Sequence, residues 1–360
     1  MRLFTIALAT SLTVVAAACG GGGDAATSDS ISTSGVDLNG AGATFPYPLY
    51  SKWVADYAAA TGVRINYQSI GSGGGIRQFS EGIVDFGATD GPMSDEEMTR
   101  TRHGAALHFP TVLGAVVMTY NLPTVTAPLR LTGEVIGDIY MKRITKWNDA
   151  RIAALNAGVS LPASDIIVVH RSDGSGTTYV FTDYLNSASP SWALAAGGPG
   201  RGKEVNWPVG LGGQGNEGVA GQVKQTPASL GYVELAYATQ NNLPAAHIQN
   251  KNGEFVAPTI ASITAAAEGV VAGLTPDTDY RISIVNGPGA GAYPISSFTW
   301  ILVYQNPPDA AKGKKLVDFL RWVYSTGQQS AASLDYAPLP AALAQRLTER
   351  LSTVGTATKP

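Results

Sequence analysis

Four short segments place glycine, hydroxyl and charged residues where an extended stretch gives way to a helical one: residues 39–46, 70–76, 84–92 and 169–178. The free backbone N–H groups at the start of a helix attract anions. The last segment is the richest, because Arg171 precedes a Gly/Ser/Thr turn that opens a helix. Taken singly, each segment is typical of an ordinary helix cap or turn. Together they predict one site with many hydrogen-bond donors.

Asp90 is the only acid in the segment 86–92, and it would give that site a single acceptor. Near neutral pH, inorganic phosphate keeps at least one proton, which must be donated. Its other oxygens accept from Arg171 and from backbone N–H groups. Sulfate lacks that proton and would face the Asp90 carboxylate unpaired, which is costly in a buried site. The residue types therefore favour phosphate over sulfate.

Other chemistries find little support in the sequence. A G-x-x-x-x-G-K-[ST] loop and a G-x-S-x-G elbow are both missing. Residues 210–215 fit G-x-G-x-x-G but follow a poor strand, so we interpret the match as chance. No histidine pair has metal-ligand spacing, and only His170 lies beside a candidate site. With a net charge of -3, nucleic acid is not expected as a partner, and no metal or cofactor is predicted.

Hydrophobic periodicity predicts an α/β protein with mainly parallel sheets. Helices are expected over 46–60 and 131–141 and strands over 63–70, 166–170 and 298–304, with a late helix striped by residues 316, 319, 320 and 323. The 360 residues are 44% hydrophobic and 14% charged, enough for two domains with sizeable cores.

The N-terminus has the features of an export signal. Arg2 precedes an apolar run over 3–18 that is too short to span a membrane and ends in small residues before Cys19, the only cysteine. This arrangement resembles a bacterial lipobox, although Ala16 stands where Leu is common. It predicts a signal peptide over 1–18, then lipidated Cys19 and a flexible linker through residue 35. The alternative is a plain secretory signal with an incidental cysteine.

The segments LNGAGATFP, YQSIGSGGG, DFGATD and HRSDGSGTT resemble the phosphate-binding proteins of the ABC phosphate importer, the PstS type. The likeness continues through residues 137–149, 207–210, 231–234 and 293–295, and so covers nearly all of the mature chain. It implies that phosphate is bound by Thr44, Phe45, Ser72, Asp90, Arg171, Ser175, Gly176 and Thr177. It also implies that Asp173 orients Arg171. One departure is Gly73, where some members carry a second serine; we expect its helix-start N–H to remain available.

The resemblance further implies a two-lobed periplasmic-binding-protein fold of type II. Each lobe would be a sheet flanked by helices, joined by a two-strand hinge. Lobe I would comprise residues 36–118 and 293–360, and lobe II residues 119–292, with crossings near 117–121 and 292–295.

The implied function is high-affinity capture of inorganic phosphate outside the cytoplasm and delivery to the permease subunits of an ABC importer. The protein would be a monomer, attached to the membrane only through its lipid, and not an enzyme. Alternatives are a phosphatase-like enzyme that uses a phosphate site, a surface sensor, and a binding protein for another oxyanion such as sulfate or molybdate.

Overall fold

Strands and helices alternate along most of the chain in the computed structural model, which describes residues 37–275 and 277–355. The predicted signal peptide, Cys19 and the linker through residue 35 lie outside the described residues. Among the described residues, no helix has the length and apolar character needed to cross a bilayer.

The described strands, in chain order, are β1 (Leu38–Gly42), β2 (Ile65–Ser69), β3 (Phe86–Thr89), β4 (Ala106–Tyr120), β5 (Arg130–Leu131), β6 (Ile167–Arg171), β7 (Leu211–Gly213), β8 (Ser229–Glu234), β9 (His247–Gln249), β10 (Phe255–Val256) and β11 (Ser296–Tyr304).

The described helices are α1 (Tyr47–Thr61), α2 (Ser72–Ser80), α3 (Asp95–Thr99), α4 (Gly133–Tyr140), α5 (Ala150–Leu155), α6 (Gly176–Ala188), α7 (Gly215–Gln225), α8 (Leu235–Gln240), α9 (Ile260–Val271), α10 (Ala310–Ser325) and α11 (Ala341–Arg350). Short 3₁₀ turns occupy Leu194–Ala196, Gly327–Ser330, Ala332–Leu334 and Leu351–Thr353.

Eight strands form one sheet in the order β2-β1-β3-β11-β4-β8-β6-β7, and β10-β9-β5 form a small second sheet. The outer strands β2-β1-β3 and β8-β6-β7 pair in parallel. The central pairs β3-β11, β11-β4 and β4-β8 are antiparallel. The prediction of mainly parallel sheets therefore holds for the outer strands of the large sheet and for the β5-β9 pair of the small one. It misses the centre because β11 comes from near the end of the chain and inserts there in the opposite direction.

β4 divides the large sheet into two parts. Its first ten residues pair with β11 through Ala115, and its last five pair with β8 from Val116 onward. We call β2-β1-β3-β11 with the first part of β4 the first half-sheet, and the last part of β4 with β8-β6-β7 the second half-sheet. The backbone N–H of Val116 donates to the carbonyl of Ile295 at 2.8 Å, so the segment that leads back to β11 lies beside the change of partner.

The strand directions determine where a ligand site can form. β1, β2 and β3 run in the same direction as β4, because β3 and β4 are each antiparallel to β11. β8, β6 and β7 run against β4. The carboxyl ends of the two outer sets therefore face each other across the middle of β4. Carboxyl ends of parallel strands are the usual place for ligands in such sheets.

Most predicted elements occur close to their expected bounds. The predicted helix over 46–60 is α1, the strand over 166–170 is β6 and the late helix is α10. One boundary differs, because Leu131 lies in β5 and the helix begins at Gly133. Thr132 causes the difference: its hydroxyl accepts from the N–H of Val135 at 3.2 Å and caps the helix.

The core is shared between the two half-sheets. Val112, Val116 and Tyr120 of β4 are fully buried, as are Trp53 of α1 and Trp147 before α5. The predicted lobe boundaries at 118/119 and 292/293 stay predictions. The first boundary falls within the continuous strand β4, and the second falls in the segment before β11 that lies beside β4.

Candidate functional site

Every predicted site residue lies at or just after the carboxyl end of a strand. Thr44 and Phe45 follow β1, Ser72 begins α2 after β2, and Asp90 follows β3 directly. Arg171 is the last residue of β6, and Ser175 is the N-cap of α6, followed by Gly176 and Thr177. The predicted residues of both half-sheets thus lie around the gap between the facing carboxyl ends of the outer strands.

Gly176 shows how closely the two sides approach. A Cβ built on Gly176 would come within 2.5 Å of Ser72 Oγ and 2.6 Å of Asp90 Oδ2, closer than real Cβ atoms come. Only glycine allows the start of α6 to lie against these two residues. Nearby, the N–H of Gly73 donates to the carbonyl of Gly174 at 2.8 Å. That N–H, which we expected to be available, is therefore engaged across the gap.

Arg171 is 3% exposed, and Asp173 holds it in place. Its Nε donates to Asp173 Oδ1 at 2.7 Å and its Nη2 to Asp173 Oδ2 at 2.5 Å. Its Nη1 is buried and has no hydrogen-bond partner among the described residues. A buried, unpaired guanidinium donor is costly unless an acceptor arrives. The orientation of Arg171 by Asp173 leaves that donor ready for an anion.

Asp90 is a buried acid among donors. Its Oδ1 accepts from the hydroxyl of Thr299 at 3.0 Å, and its backbone N–H donates to Ser72 Oγ at 3.2 Å. Burial raises the pKa of Asp90 to about 7, against the lowering effects of the Thr299 hydroxyl and the Arg171 charge. Asp90 therefore changes charge near neutral pH.

The start of α6 supplies further donors. Ser175 Oγ accepts from the N–H of Thr178 at 3.0 Å, which caps the helix. The N–H groups of Gly176 and Thr177 have no intrahelical acceptor, because they belong to the first turn. Both residues are buried, so these N–H groups lie in a protected setting that favours a negative ligand.

The turn that carries Thr44 and Phe45 is held by two tyrosines. The hydroxyl of Tyr237 donates to the Thr44 carbonyl at 2.6 Å, and the hydroxyl of Tyr336 donates to the Phe45 carbonyl at 2.6 Å. These bonds pair the carbonyl oxygens of both residues and fix the turn. Pro46 is the N-cap of α1, whereas the sequence predicted it to be the first helical residue. This difference of one residue is within the usual uncertainty of helix ends.

Asn216, at the start of α7, is a residue that the sequence reasoning missed. Its side-chain N–H₂ donates to Thr44 Oγ1 at 2.7 Å and to Thr177 Oγ1 at 3.1 Å, which links the two sides of the gap. Its Oδ1 accepts from the backbone N–H of Glu234 at 2.9 Å. The signal was present in the glycine-rich match at 210–215, which we set aside. β7 lies inside that match rather than before it, so the segment is a strand, a tight turn and a helix.

Two ion pairs join the segments around the gap at its rim. Lys203 Nζ donates to Glu97 Oε2 at 2.8 Å and to the Pro92 carbonyl at 3.0 Å. Arg281 Nη1 lies 2.7 Å from Asp95 Oδ1 and donates to the Met93 carbonyl at 2.9 Å. Glu97 and Asp95 belong to α3 of the first half-sheet side. We call these two pairs the rim pairs.

His170 has a packing role. Its ring stacks on Trp207 with centroids 4.8 Å apart, and burial lowers its pKa. Within the described ranges, no group of three or more His, Cys, Asp or Glu side chains is arranged to hold a metal ion. The site therefore consists of hydroxyl, backbone N–H and guanidinium donors around Asp90, with Asp173 paired to Arg171, a set that suits a small oxyanion carrying a proton.

Residues 23–326 match the model of the PBP superfamily domain. The chain is 46% identical over 316 residues to the phosphate-binding protein PstS of Xylella fastidiosa, covering 88% of this chain and 85% of the relative. It is 40% identical over 332 residues to the PstS of Methanocaldococcus jannaschii, covering 87% and 85%.

Among solved structures, the phosphate-binding protein of Stenotrophomonas maltophilia aligns with a TM-score of 0.69 at 20% identity, covering 87% of this chain and 93% of the other. An ABC-type phosphate transport receptor from Vibrio cholerae aligns with a TM-score of 0.55 at 17% identity, covering 84% and 100%. At these identities the structural likeness concerns the fold.

Proposed function

Because this chain belongs to the PBP superfamily and, within it, to the PstS-type phosphate-binding proteins, we propose that it captures inorganic phosphate outside the cytoplasm for an ABC importer. The alignments cover 85% of each PstS relative and 87–88% of this chain, so the likeness extends over most of both proteins. The family is one of solute-binding proteins, and the proposed role is binding and release without chemical change.

The observation that carries the proposal is the position of buried Asp90 between donors of both half-sheets. Gly176 of α6 lies against Asp90 and Ser72, and the charge of Arg171 acts on the Asp90 carboxyl. A buried carboxyl among hydroxyl, N–H and guanidinium donors matches an anion with several acceptor oxygens and one proton. We assign phosphate binding to Thr44, Phe45, Ser72, Asp90, Arg171, Ser175, Gly176 and Thr177, with Asp173 positioning Arg171.

The rim pairs support a mechanism of closure. Lys203 and Arg281 belong to the segment between the two crossings, and Glu97 and Asp95 belong to the first half-sheet side. We assign the two half-sheets, with their helices, to two lobes that separate to release phosphate and close to hold it. The paired stretches of β4 and of the segment before β11 would then serve as the hinge.

The test is titration calorimetry of the purified chain with phosphate and with sulfate at pH 8. We expect phosphate to bind with a Kd of micromolar or lower and sulfate to bind at least about 100-fold more weakly, because sulfate leaves the Asp90 carboxylate unpaired. Equal binding of both anions, or none of phosphate, would contradict the proposal. Native mass spectrometry of the protein as purified provides a second measurement, through retained phosphate.

A phosphatase-like activity on phosphate esters is the alternative of another class. Turnover of a chromogenic phosphate ester, with and without divalent metal, separates the two functions. A binding protein releases no product, whereas a phosphatase would release it in proportion to enzyme concentration.

The finer details of location are part of the same proposal. We propose that residues 1–18 are removed, that Cys19 carries a lipid and that the monomer delivers phosphate to the permease subunits. Mass spectrometry of the N-terminal peptide from cells would show a lipid mass on Cys19. An unmodified Cys19, or an N-terminus elsewhere, would limit the proposal to a secreted binding protein.

A further inference from the structure

The side-chain amide of Asn216 forms hydrogen bonds through both its N–H₂ group and its oxygen, and two of its partners are hydroxyls of the proposed site. Both amide protons are donated, one to Thr44 Oγ1 and one to Thr177 Oγ1. The amide oxygen accepts from the backbone N–H of Glu234 at 2.9 Å. That bond fixes which end of the amide is which, because only the oxygen can accept from an N–H. The N–H₂ group therefore has to face the two hydroxyls.

The Thr44 hydroxyl is the more constrained of the two. Besides the amide proton at 2.7 Å, Thr44 Oγ1 accepts from the backbone N–H of Asn216 at 3.2 Å. A hydroxyl oxygen has two lone pairs, and both are then occupied. Its own proton can be used only as a donor in a third direction. Within residues 37–275 and 277–355, neither this hydroxyl nor that of Thr177 donates to a protein acceptor.

We propose that Asn216 is a positioning residue: it occupies both lone pairs of the Thr44 hydroxyl, so that this hydroxyl presents its proton to the bound oxyanion, and it occupies one lone pair of the Thr177 hydroxyl, which favours donation from that hydroxyl as well. This inference rests on the proposed function, since it assigns how two of the proposed ligands act. A hydroxyl that is free to rotate fits an acceptor or a donor equally well. Hydroxyls fixed as donors bind only the acceptor oxygens of the ligand, which leaves the ligand proton to Asp90.

Through Asn216, the orientation of the Thr44 hydroxyl would depend on closure of the two proposed lobes. Asn216 and Thr177 lie on the second half-sheet side, whereas Thr44 lies on the first. The Thr44 hydroxyl becomes fixed only when α7 approaches it. Closure therefore creates a donor at Thr44 at the moment when the ligand is enclosed.

The test compares two substitutions of similar size. In Asn216→Asp, one carboxylate oxygen keeps the bond to Glu234 N–H, while the other accepts and turns the two hydroxyl protons away from the ligand. In Asn216→Leu, the three side-chain bonds are lost, the Thr44 hydroxyl keeps only the backbone N–H of residue 216 as a donor, and both hydroxyls are freer to rotate. We expect calorimetry to show that phosphate affinity falls at least about 100-fold in Asn216→Asp and about tenfold in Asn216→Leu. A residue that merely braced the fold would give the reverse order, because Asp keeps more native contacts than Leu.

The charge introduced by Asp is controlled with Thr177→Val, which removes one hydroxyl and keeps the shape. In that background the cost of Asn216→Asp should be at least about tenfold smaller than in the parent, since one hydroxyl can no longer turn. An unchanged cost would mean that charge repulsion alone weakens binding and would overturn the inference.

Folding of each variant is checked by its thermal midpoint without phosphate. If the unsubstituted protein binds no phosphate, the proposed function fails. If it binds phosphate but Asn216→Leu binds phosphate more weakly than Asn216→Asp does, only the proposed role of Asn216 fails.

Discussion

The two sides of the site differ in what they offer a ligand. The second half-sheet side contributes the buried guanidinium of Arg171 together with the start of α6, and these groups are ordered by Asp173 and by the cap at Ser175. The first half-sheet side contributes neutral hydroxyl and N–H donors and the buried acid Asp90. One side is built to attract an anion, and the other contains the group that repels an unprotonated one.

Under the proposed function, this difference would place affinity and selectivity in separate parts of the molecule. A donor-rich surface binds many oxyanions, and sulfate and phosphate have nearly the same shape. Discrimination needs an unfavourable contact for the wrong anion, and in the function we propose Asp90 would supply it once the two sides meet. The predictions below test whether the two roles can be separated, beginning with the largest expected effect.

Removal of the cation should strongly weaken phosphate binding while keeping selectivity, provided that the pH is high enough for Asp90 to stay charged without Arg171. Arg171→Met loses about two charge-assisted hydrogen bonds of about 1.5–3 kcal/mol each, so phosphate affinity should fall by about 1,000-fold. Calorimetry at millimolar phosphate measures the loss, and the exposed Arg100→Met is the control. If the phosphate-to-sulfate ratio disappeared as well, the two sides would not have separate roles.

The buried acid should make the ligand-free protein less stable as the pH rises. The pKa of Asp90 is raised from about 3.8 to about 7 in the folded protein, so the native state binds more protons than the unfolded state between these values. The free energy of unfolding should therefore fall as pH rises through this window and level off above about 7. The contribution is at most about 4 kcal/mol.

Asp90→Asn removes that titration. In urea unfolding without phosphate, the free energy of unfolding of the variant should rise relative to that of the parent between pH 5 and pH 8. A constant difference across that range would mean that Asp90 is already charged at pH 5, and the contrast between the two sides would be weaker than we describe.

Selectivity should depend on the Asp90 charge. Asp90→Asn should narrow the preference for phosphate over sulfate by about 100-fold, because sulfate no longer meets an unpaired carboxylate. In the parent, sulfate binding should strengthen as pH falls from 8 to 5, since protonated Asp90 can donate to it. Asp85→Asn, an acid paired with Lys312 outside the site, is the control. An unchanged preference in Asp90→Asn would refute the selective role.

The rim pairs should affect the rate of release more than selectivity. Lys203 is largely buried and bridges Glu97 and the Pro92 carbonyl, so Lys203→Met should speed phosphate release by about tenfold in stopped-flow measurements. Lys146→Met is a matched control, because Lys146 also lies 2.8 Å from an acid but its pair with Asp165 is exposed. Equal rates in both variants would show that the rim does not hold the two sides together.

Much of this arrangement could be predicted from local sequence. The Gly/Ser/Thr turn after Arg171 and the helix after Pro46 are determined by neighbouring residues, and these elements occur near their predicted positions. The four predicted segments do meet at one gap. Turn chemistry indicated donors at helix starts with Arg171 and Asp90, whereas the full set of site residues came from the resemblance to PstS-type proteins.

Long-range relations were beyond the sequence. β7 is three residues long and glycine-rich, so it gave no strand periodicity, and Asn216 after it was missed. The Gly73 N–H is engaged because a carbonyl about 100 residues away happens to lie beside it. The antiparallel centre depends on a strand from the far end of the chain. Each of these features arises from tertiary packing.

The late position of β11 has a consequence for biosynthesis. β11 lies between β3 and β4, although its residues are about 200 positions farther along the chain. A ribosome that has made residues 37–290 has produced two unpaired strand edges and a sheet that cannot close. Pairings across such sequence distances form slowly. The large sheet of this chain can therefore be completed only after residues 296–304 have been made.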